Sequence, residues 1–213
     1  CEEPFPKTIE AFAAAYAEAI AAAVPSGPIN LAGWSLGGAI ALETARELTA
    51  AGREVQQVWL LDTRLPHKGA APPSEAEEIC NLLADAAAQL GAALPETLAA
   101  EIASEAELRR CLPELLAAAG LPPAALRQAE RLIEAYRATS AALAGYRPKR
   151  YDGEVSLIVA RDQAGGPAML DPHSSWEQSC PQLTVHESAG DHRTLLTGER
   201  AAAVAKLIDS ANT

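Results

Sequence analysis

Cysteine is sparse and unpatterned in this chain. Cys1, Cys80, Cys111 and Cys180 form no C-x-x-C pair, no short spacing with histidine and no dense framework. That excludes the disulfide scaffold of a small secreted domain and speaks against a metal site, so reduced thiols of a cytoplasmic protein are expected. No apolar run approaches the ~20 residues of a membrane span, and no membrane partner is expected. Neither a basic n-region nor an apolar h-region follows Cys1, so no signal peptide is visible. Positive charge is also short: 17 Lys and Arg against 28 Asp and Glu leave a net charge of −11. Such a chain repels a phosphate backbone at long range, which argues against a nucleic-acid partner.

What is present describes a globular protein of 213 residues, 49% hydrophobic and 21% charged, long enough for one domain with a sizeable insertion. Ile9, Phe12, Ala13, Tyr16 and Ile20 follow helical spacing after a cap at Thr8, and the pattern stops at Pro25–Pro28. Ile29 to Ala32 reads as a short buried strand. A helix follows with Ile40, Ala41, Thr44 and Leu48 on one face and Gly52 placed as a left-handed cap. Val55 to Leu61 reads as a second strand, with Asp62 at its C-terminal end. Strand, helix, strand in this order implies a parallel pair.

From about Pro72 to Gly145 the chain turns Ala/Leu-rich, and roughly four helices are expected, punctuated by Pro95, Pro113, Gly120, Pro122 and Pro123. Their clearest face is Ala129, Leu132, Ile133, Tyr136, Ser140 and Leu143. A third strand is expected at Val155 to Ala160, a loop rich in Gly, Pro, Asp and Ser after it, a fourth strand at Leu183 to His186, and a last helix with Val204, Leu207 and Ile208. Strands bracket the helical block. The expected fold is therefore α/β with a mostly parallel sheet: core segments at 1–71 and 146–213, and a helical insertion at 72–145.

Gly33-Trp34-Ser35-Leu36-Gly37 is a G-x-S-x-G pentapeptide, which chance supplies in about one chain in twenty at average usage. Its placement between a strand and a helix carries more weight. A turn tight enough to lift a serine hydroxyl clear of a sheet leaves no room for side chains at the flanking glycines, expected here to be Gly33 and Gly37. The same turn aims the N–H of Leu36, at the helix N-terminus, toward negative charge developing beside Ser35, as one donor of an oxyanion hole. The plain alternative is that Ser35 is only a helix cap.

A serine hydroxyl attacks an ester or thioester only with a base and a group that orients the base. Among the four histidines, His67 follows the second strand, His173 lies in the Gly/Pro/Asp loop and His186 sits in the fourth strand as a structural residue. His192, in the turn "ESAGDHRTLL" before the last helix, is the expected base, because the order Ser, acid, His places the base in a loop late in the chain. Asp62 is favoured as the orienting acid, since ligand chemistry gathers at the C-terminal edge of parallel strands. Asp162, just past the third strand, competes for that role. Asp191 reads as a residue that shapes the turn.

The stretches "GWSLGG", "WLLDTRLP", "GYRPKRYDGEV" and "GDHRTLL", in this order and interrupted by a helical insertion, resemble the α/β-hydrolase thioesterase domains that terminate nonribosomal peptide synthetases and polyketide synthases. The likeness covers essentially the whole chain. It implies that Ser35 takes an acyl, peptidyl or polyketide chain from the phosphopantetheine thioester of a carrier protein, that His192 is the base and that Asp62 supports it. It further implies a helical lid at 72–145, release by hydrolysis or macrocyclisation, and no resident cofactor. The tail "LLDTRLP" favours the terminal type over a stand-alone editing thioesterase. A non-catalytic module on a hydrolase scaffold is the alternative from another class. Relatives begin with additional strands and a loop that supplies a second oxyanion N–H, whereas this chain opens at "CEEPFPKTIEAF", just before the helix that precedes the nucleophile strand. Those N-terminal strands are expected to be missing here. A carrier is acidic, so docking calls for a basic patch, for which Arg147, Lys149 and Arg150, or Arg109 and Arg110, are the candidates.

Overall fold

The computed structural model describes residues 4–65, 79–80, 82–83, 86–87, 105–162 and 176–211. Two compact units divide the chain, one of residues 1–5 and 69–138, the other of residues 6–68 and 139–213. His67, His173, Pro95, the loop at 163–175 and most of the stretch between Pro72 and Ser104 lie outside the described residues.

The larger unit holds helix α1 (Ile9–Ala23), strand β1 (Ile29–Trp34), helix α2 (Leu36–Ala50) and strand β2 (Val55–Leu61). Thr8 caps α1, its hydroxyl accepting the Ala11 N–H at 3.1 Å, and Ile9, Phe12 and Ala13 are its buried positions. In α2, Ile40, Ala41, Thr44 and Leu48 are all buried. That helix ends where Gly52 adopts φ +79°. The Gly52 N–H then reaches the Thr49 carbonyl and the Arg53 N–H the Leu48 carbonyl, which is the paired closure of a Schellman turn.

Strands β3 (Val155–Ala160) and β4 (Leu183–Ser188) complete a four-stranded sheet of order β1-β2-β3-β4 in which every described pair is parallel. The inner strands β2 and β3 are apolar without alternation and almost wholly buried over Val58–Leu61 and Val155–Ile158, as parallel strands covered on both faces must be. On one face Trp59, Leu61, Ile158 and Ala160 pack with Leu195 and with Val204, Leu207 and Ile208 of the last helix (Gly198–Ala211). Helix α2 lies against β1 and β2. Register aligns Trp34 with Leu61, so the C-terminal ends of β1 and β2 finish level. That common edge is where Ser35 and Asp62 begin.

The helical unit is built on α3 (Glu105–Ala118) and the start of α4 (Ala125–Gly145); the last helix of the chain is therefore α5. Ile79, Cys80, Leu83, Leu112, Leu115, Leu116, Ala125, Ala129 and Ile133 form its buried cluster, with Leu132 and Tyr136 packed against it. The expectation that Pro113 separates two helices is corrected: Pro113 lies inside α3. A proline in a helix interior costs about 3 kcal/mol, and burial of Leu112, Leu115 and Leu116 around it offsets that. Gly120, at φ +72°, is the actual break.

Candidate active site

Ser35 occupies the N-cap position of α2, yet its side chain makes no capping hydrogen bond. The backbone there is held at φ +55°, ψ −130°, a conformation that costs a non-glycine residue roughly 1–3 kcal/mol and persists only where its surroundings enforce it. Two bonds do so: the Ser35 N–H donates to the Leu61 carbonyl at 2.8 Å and the Ser35 carbonyl accepts the Gly38 N–H at 3.0 Å. The hydroxyl, released from capping, points instead to His192, with Oγ 2.9 Å from Nε2.

The turn is as crowded as its glycines suggest, but not at the pair expected. A Cβ on Gly33 would overlap the Gly37 carbonyl, and one on Gly38 would overlap the Thr63 side chain, whereas one on Gly37 would meet nothing within 4 Å. The expectation for Gly37 is therefore corrected in favour of Gly38. The reason is tertiary: the obstruction comes from Thr63, just past β2, and local sequence around Ser35 carries no sign of it. Thr63 is fixed by Trp176, a fully buried residue whose indole N–H donates to the Thr63 carbonyl at 3.0 Å.

Asp62 follows β2 at φ +44° and is 1% exposed. Its Oδ2 lies 2.7 Å from His192 Nδ1. Its Oδ1 accepts the Ala160 N–H at 3.1 Å and an Arg64 guanidinium N–H at 3.2 Å. Burial pushes this carboxyl up, but the hydrogen bonds from His192, the Ala160 N–H and Arg64, together with the Arg64 charge, outweigh it and hold Asp62 below the ordinary carboxylate value. A carboxylate that only accepts keeps the proton of a neutral imidazole on Nδ1, which leaves Nε2 free to accept from the Ser35 hydroxyl. Ser35, His192 and Asp62 are thus joined by two consecutive hydrogen bonds.

Asp162 is bonded elsewhere. Its Oδ2 accepts the Gly190 N–H at 2.8 Å and its own N–H donates to the Gly190 carbonyl at 2.8 Å, so it ties down the loop that carries His192. Asp191 shapes the same loop, its Oδ1 accepting the N–H groups of Arg193 and Thr194 and the Thr194 hydroxyl, each at 2.9 Å. The Thr194 N–H and hydroxyl hold the Asp191 carboxyl below its usual value. His186 sits in β4 with its ring tilted against Trp59, centroids 5.9 Å apart. Leu36 opens α2, so its N–H is among the orphan donors of the helix start, at the positive end of the dipole and beside Ser35. Among the described residues no group of three His, Cys, Asp or Glu side chains is arranged to hold a metal ion, and no helix is long and apolar enough to cross a membrane.

Sequence reasoning passed over Arg64, Thr63 and Trp34. Arg64 was visible as the one cation two residues beyond the candidate acid. Trp34 was visible as a large aromatic directly before the candidate nucleophile. Thr63 carried no signal. In the basic run, Arg150 Nε pairs with Asp152 at 2.7 Å and Arg147 Nη1 donates to the Tyr146 carbonyl at 2.6 Å, so both guanidinium groups are engaged within their own segment.

A family model described as "Thioesterase domain" matches residues 1–211. Over 74 residues, 31% of this chain, the sequence is 43% identical to the non-reducing polyketide synthase CTB1 of Cercospora nicotianae, and the match covers 3% of that protein. A solved four-domain nonribosomal peptide synthetase, in its holo form with AMP and glycine, superposes with a TM-score of 0.76 at 28% identity, over 96% of this chain and 16% of its own. The NocB thioesterase domain, solved as a covalent complex with a fluorophosphonate nocardicin G analogue, superposes with a TM-score of 0.63 at 25% identity, over all of this chain and 78% of its own.

Proposed function

This chain belongs to the thioesterase domain family, and from that membership we propose that it releases an acyl chain from a thioester through an acyl-Ser35 intermediate. Ser35 Oγ attacks the thioester carbonyl carbon while its proton passes to His192 Nε2. The Leu36 N–H stabilises the oxyanion that forms. Collapse of the tetrahedral species breaks the carbon–sulfur bond, and the imidazolium returns its proton to the departing thiolate. Water, or a nucleophile within the acyl chain, then gives a proton to His192 and attacks the Ser35 ester carbonyl; the Oγ–carbon bond breaks and the imidazolium returns the proton to Ser35 Oγ, so that release is hydrolytic or cyclising. Asp62 stabilises the imidazolium in both halves without itself taking the proton. The observation that carries this reading is the continuous path from Ser35 Oγ to Nε2 at 2.9 Å and from Nδ1 to Asp62 at 2.7 Å.

The natural substrate is proposed to be an acyl, peptidyl or polyketide chain on the phosphopantetheine arm of a carrier domain. Support comes from the relatives, which are multidomain polyketide and nonribosomal peptide synthases. Incubation with an acyl thioester of pantetheine, followed by intact-mass measurement, tests the proposal. A mass increase equal to the acyl group, mapped to Ser35 and lost with Ser35→Ala, is expected. Undiminished turnover by Ser35→Ala would overturn it.

A further inference from the structure

Trp34 is the last residue of β1 and stands out on its surface, 39% exposed. An aromatic side chain left this open at a strand end adds nothing to the core, so its contacts are informative. Among the described residues its hydrogen bond and its ring contact are both to the same residue, His192. The indole ring stacks on the His192 imidazole, with centroids 5.0 Å apart and planes 24° from parallel. The indole N–H donates to the His192 backbone carbonyl at 3.1 Å. One rigid side chain thus holds both the ring and the main chain of the same residue. Its own backbone is equally well placed, since Trp34 precedes Ser35 and pairs in register with Leu61, the residue before Asp62.

We infer that Trp34 is a positioning residue that clamps His192 against Ser35. The inference rests on the reading of Ser35 as nucleophile and His192 as proton carrier. Without Trp34 the imidazole would be held only through its two ring nitrogens, by Asp62 at Nδ1 and by the Ser35 hydroxyl at Nε2, and the ring could still turn about the line joining them. Stacking restrains that turning, and the carbonyl bond anchors the loop at a second point besides the Asp162–Gly190 pair. The indole face also meets the charge that appears on His192 when it takes the Ser35 proton, and an aromatic face attracts such a cation. Trp34 itself neither gives nor takes a proton. Among the described residues, the charged groups at this end of the sheet are Asp62, which bonds His192 and Arg64, Asp191 and Arg193 on the His192 loop, and Arg200, whose charge acts on Asp191; Asp191 is occupied by Thr194 and the Arg193 N–H.

The test compares Trp34→Phe and Trp34→Leu in the whole chain, using the N-acetylcysteamine thioester of a short acyl group as probe. Phe keeps an aromatic face but loses the N–H donor, and kcat is expected to fall about fivefold. Leu loses both contacts, and kcat is expected to fall about ten- to thirtyfold while KM stays within about twofold. Proton NMR of His192 gives a reading that needs no turnover: its ring protons are expected to be shifted upfield by the stacked indole in the unaltered chain, and to lose that shift in Trp34→Leu. Unchanged kcat in Trp34→Leu, a rise confined to KM, Phe no better than Leu, or the absence of the upfield shift in the unaltered chain would each overturn the inference. Turnover retained by Ser35→Ala would instead defeat the nucleophile reading while leaving the NMR signature in place, so the two failures are distinguishable.

Discussion

Asp62→Asn separates orientation from shape, because the side chain keeps its size and loses only the ability to accept at both ends. Two placements of the amide are available. With nitrogen toward Ala160 and Arg64 it would face two donors that cannot reverse. With nitrogen toward His192 it faces one ring atom that can, since the imidazole proton moves from Nδ1 to Nε2. The second placement therefore prevails. His192 then offers a donor to Ser35 Oγ where it must accept, and the base is lost without any displacement of atoms. Loss of this tautomer control is worth on the order of a thousand- to ten-thousandfold in kcat. Stability falls by about 1–3 kcal/mol, as a buried guanidinium hydrogen bond to a charged acceptor becomes one to a neutral amide. Steady-state hydrolysis of an acyl-pantetheine thioester measures the first and urea denaturation the second. A folded Asp62→Asn protein within about tenfold of the unaltered kcat would refute the orientation argument.

Asp162→Ala, by contrast, removes only the acceptor for the Gly190 N–H, so kcat should fall no more than about tenfold and stability by about 1–2 kcal/mol; a loss equal to that of Asp62→Asn in the same assay would reverse the assignment of the two acids. Folding lowers the Asp62 carboxyl below its unfolded value of about 3.9, so the stability it contributes is complete above that value and is lost as pH falls through the lower folded one. The difference in urea midpoint between the unaltered chain and Asp62→Asn should accordingly shrink below about pH 4, and a difference that holds constant into stronger acid would contradict this. Gly38→Ala should destabilise by about 1–3 kcal/mol through overlap with Thr63, whereas Gly37→Ala should be neutral or stabilising by up to about 1 kcal/mol; thermal melts showing the reverse order would refute the packing of the turn. Tyr146→Phe removes the 2.9 Å bond to the buried Glu43 carboxyl and should cost about 1.5–3 kcal/mol, with no change in the urea midpoint as the contrary result.

The legible parts of the fold were those written in contiguous residues. Strands β2 and β3 coincide with their expected limits because each is a dense apolar run in inner, doubly covered strands. β1 runs two residues past its expected end, through Gly33 and Trp34, because pairing with Leu60 and Leu61 extends it and no local periodicity marks that. β4 likewise continues through Ser188 by pairing with Ala160. Pro113 misled because core burial overrode a local rule. At the site, the serine turn and the late histidine loop could be singled out from residue type and order. The choice between Asp62 and Asp162 could not be made with the same force, since both follow strands and both contact the same loop: one meets the imidazole, the other the Gly190 backbone. Only the relative height of two strand ends separates them, and that is a property of the assembled sheet.

Treatment with an alkyl fluorophosphonate followed by peptide mass spectrometry addresses the central claim most directly, because phosphonylation demands a serine whose proton has somewhere to go. The account predicts a single adduct on Ser35, abolished by Ser35→Ala and slowed at least about a hundredfold by His192→Ala. An adduct on another residue that survives Ser35→Ala, or labelling of Ser35 at an undiminished rate without His192, would contradict it.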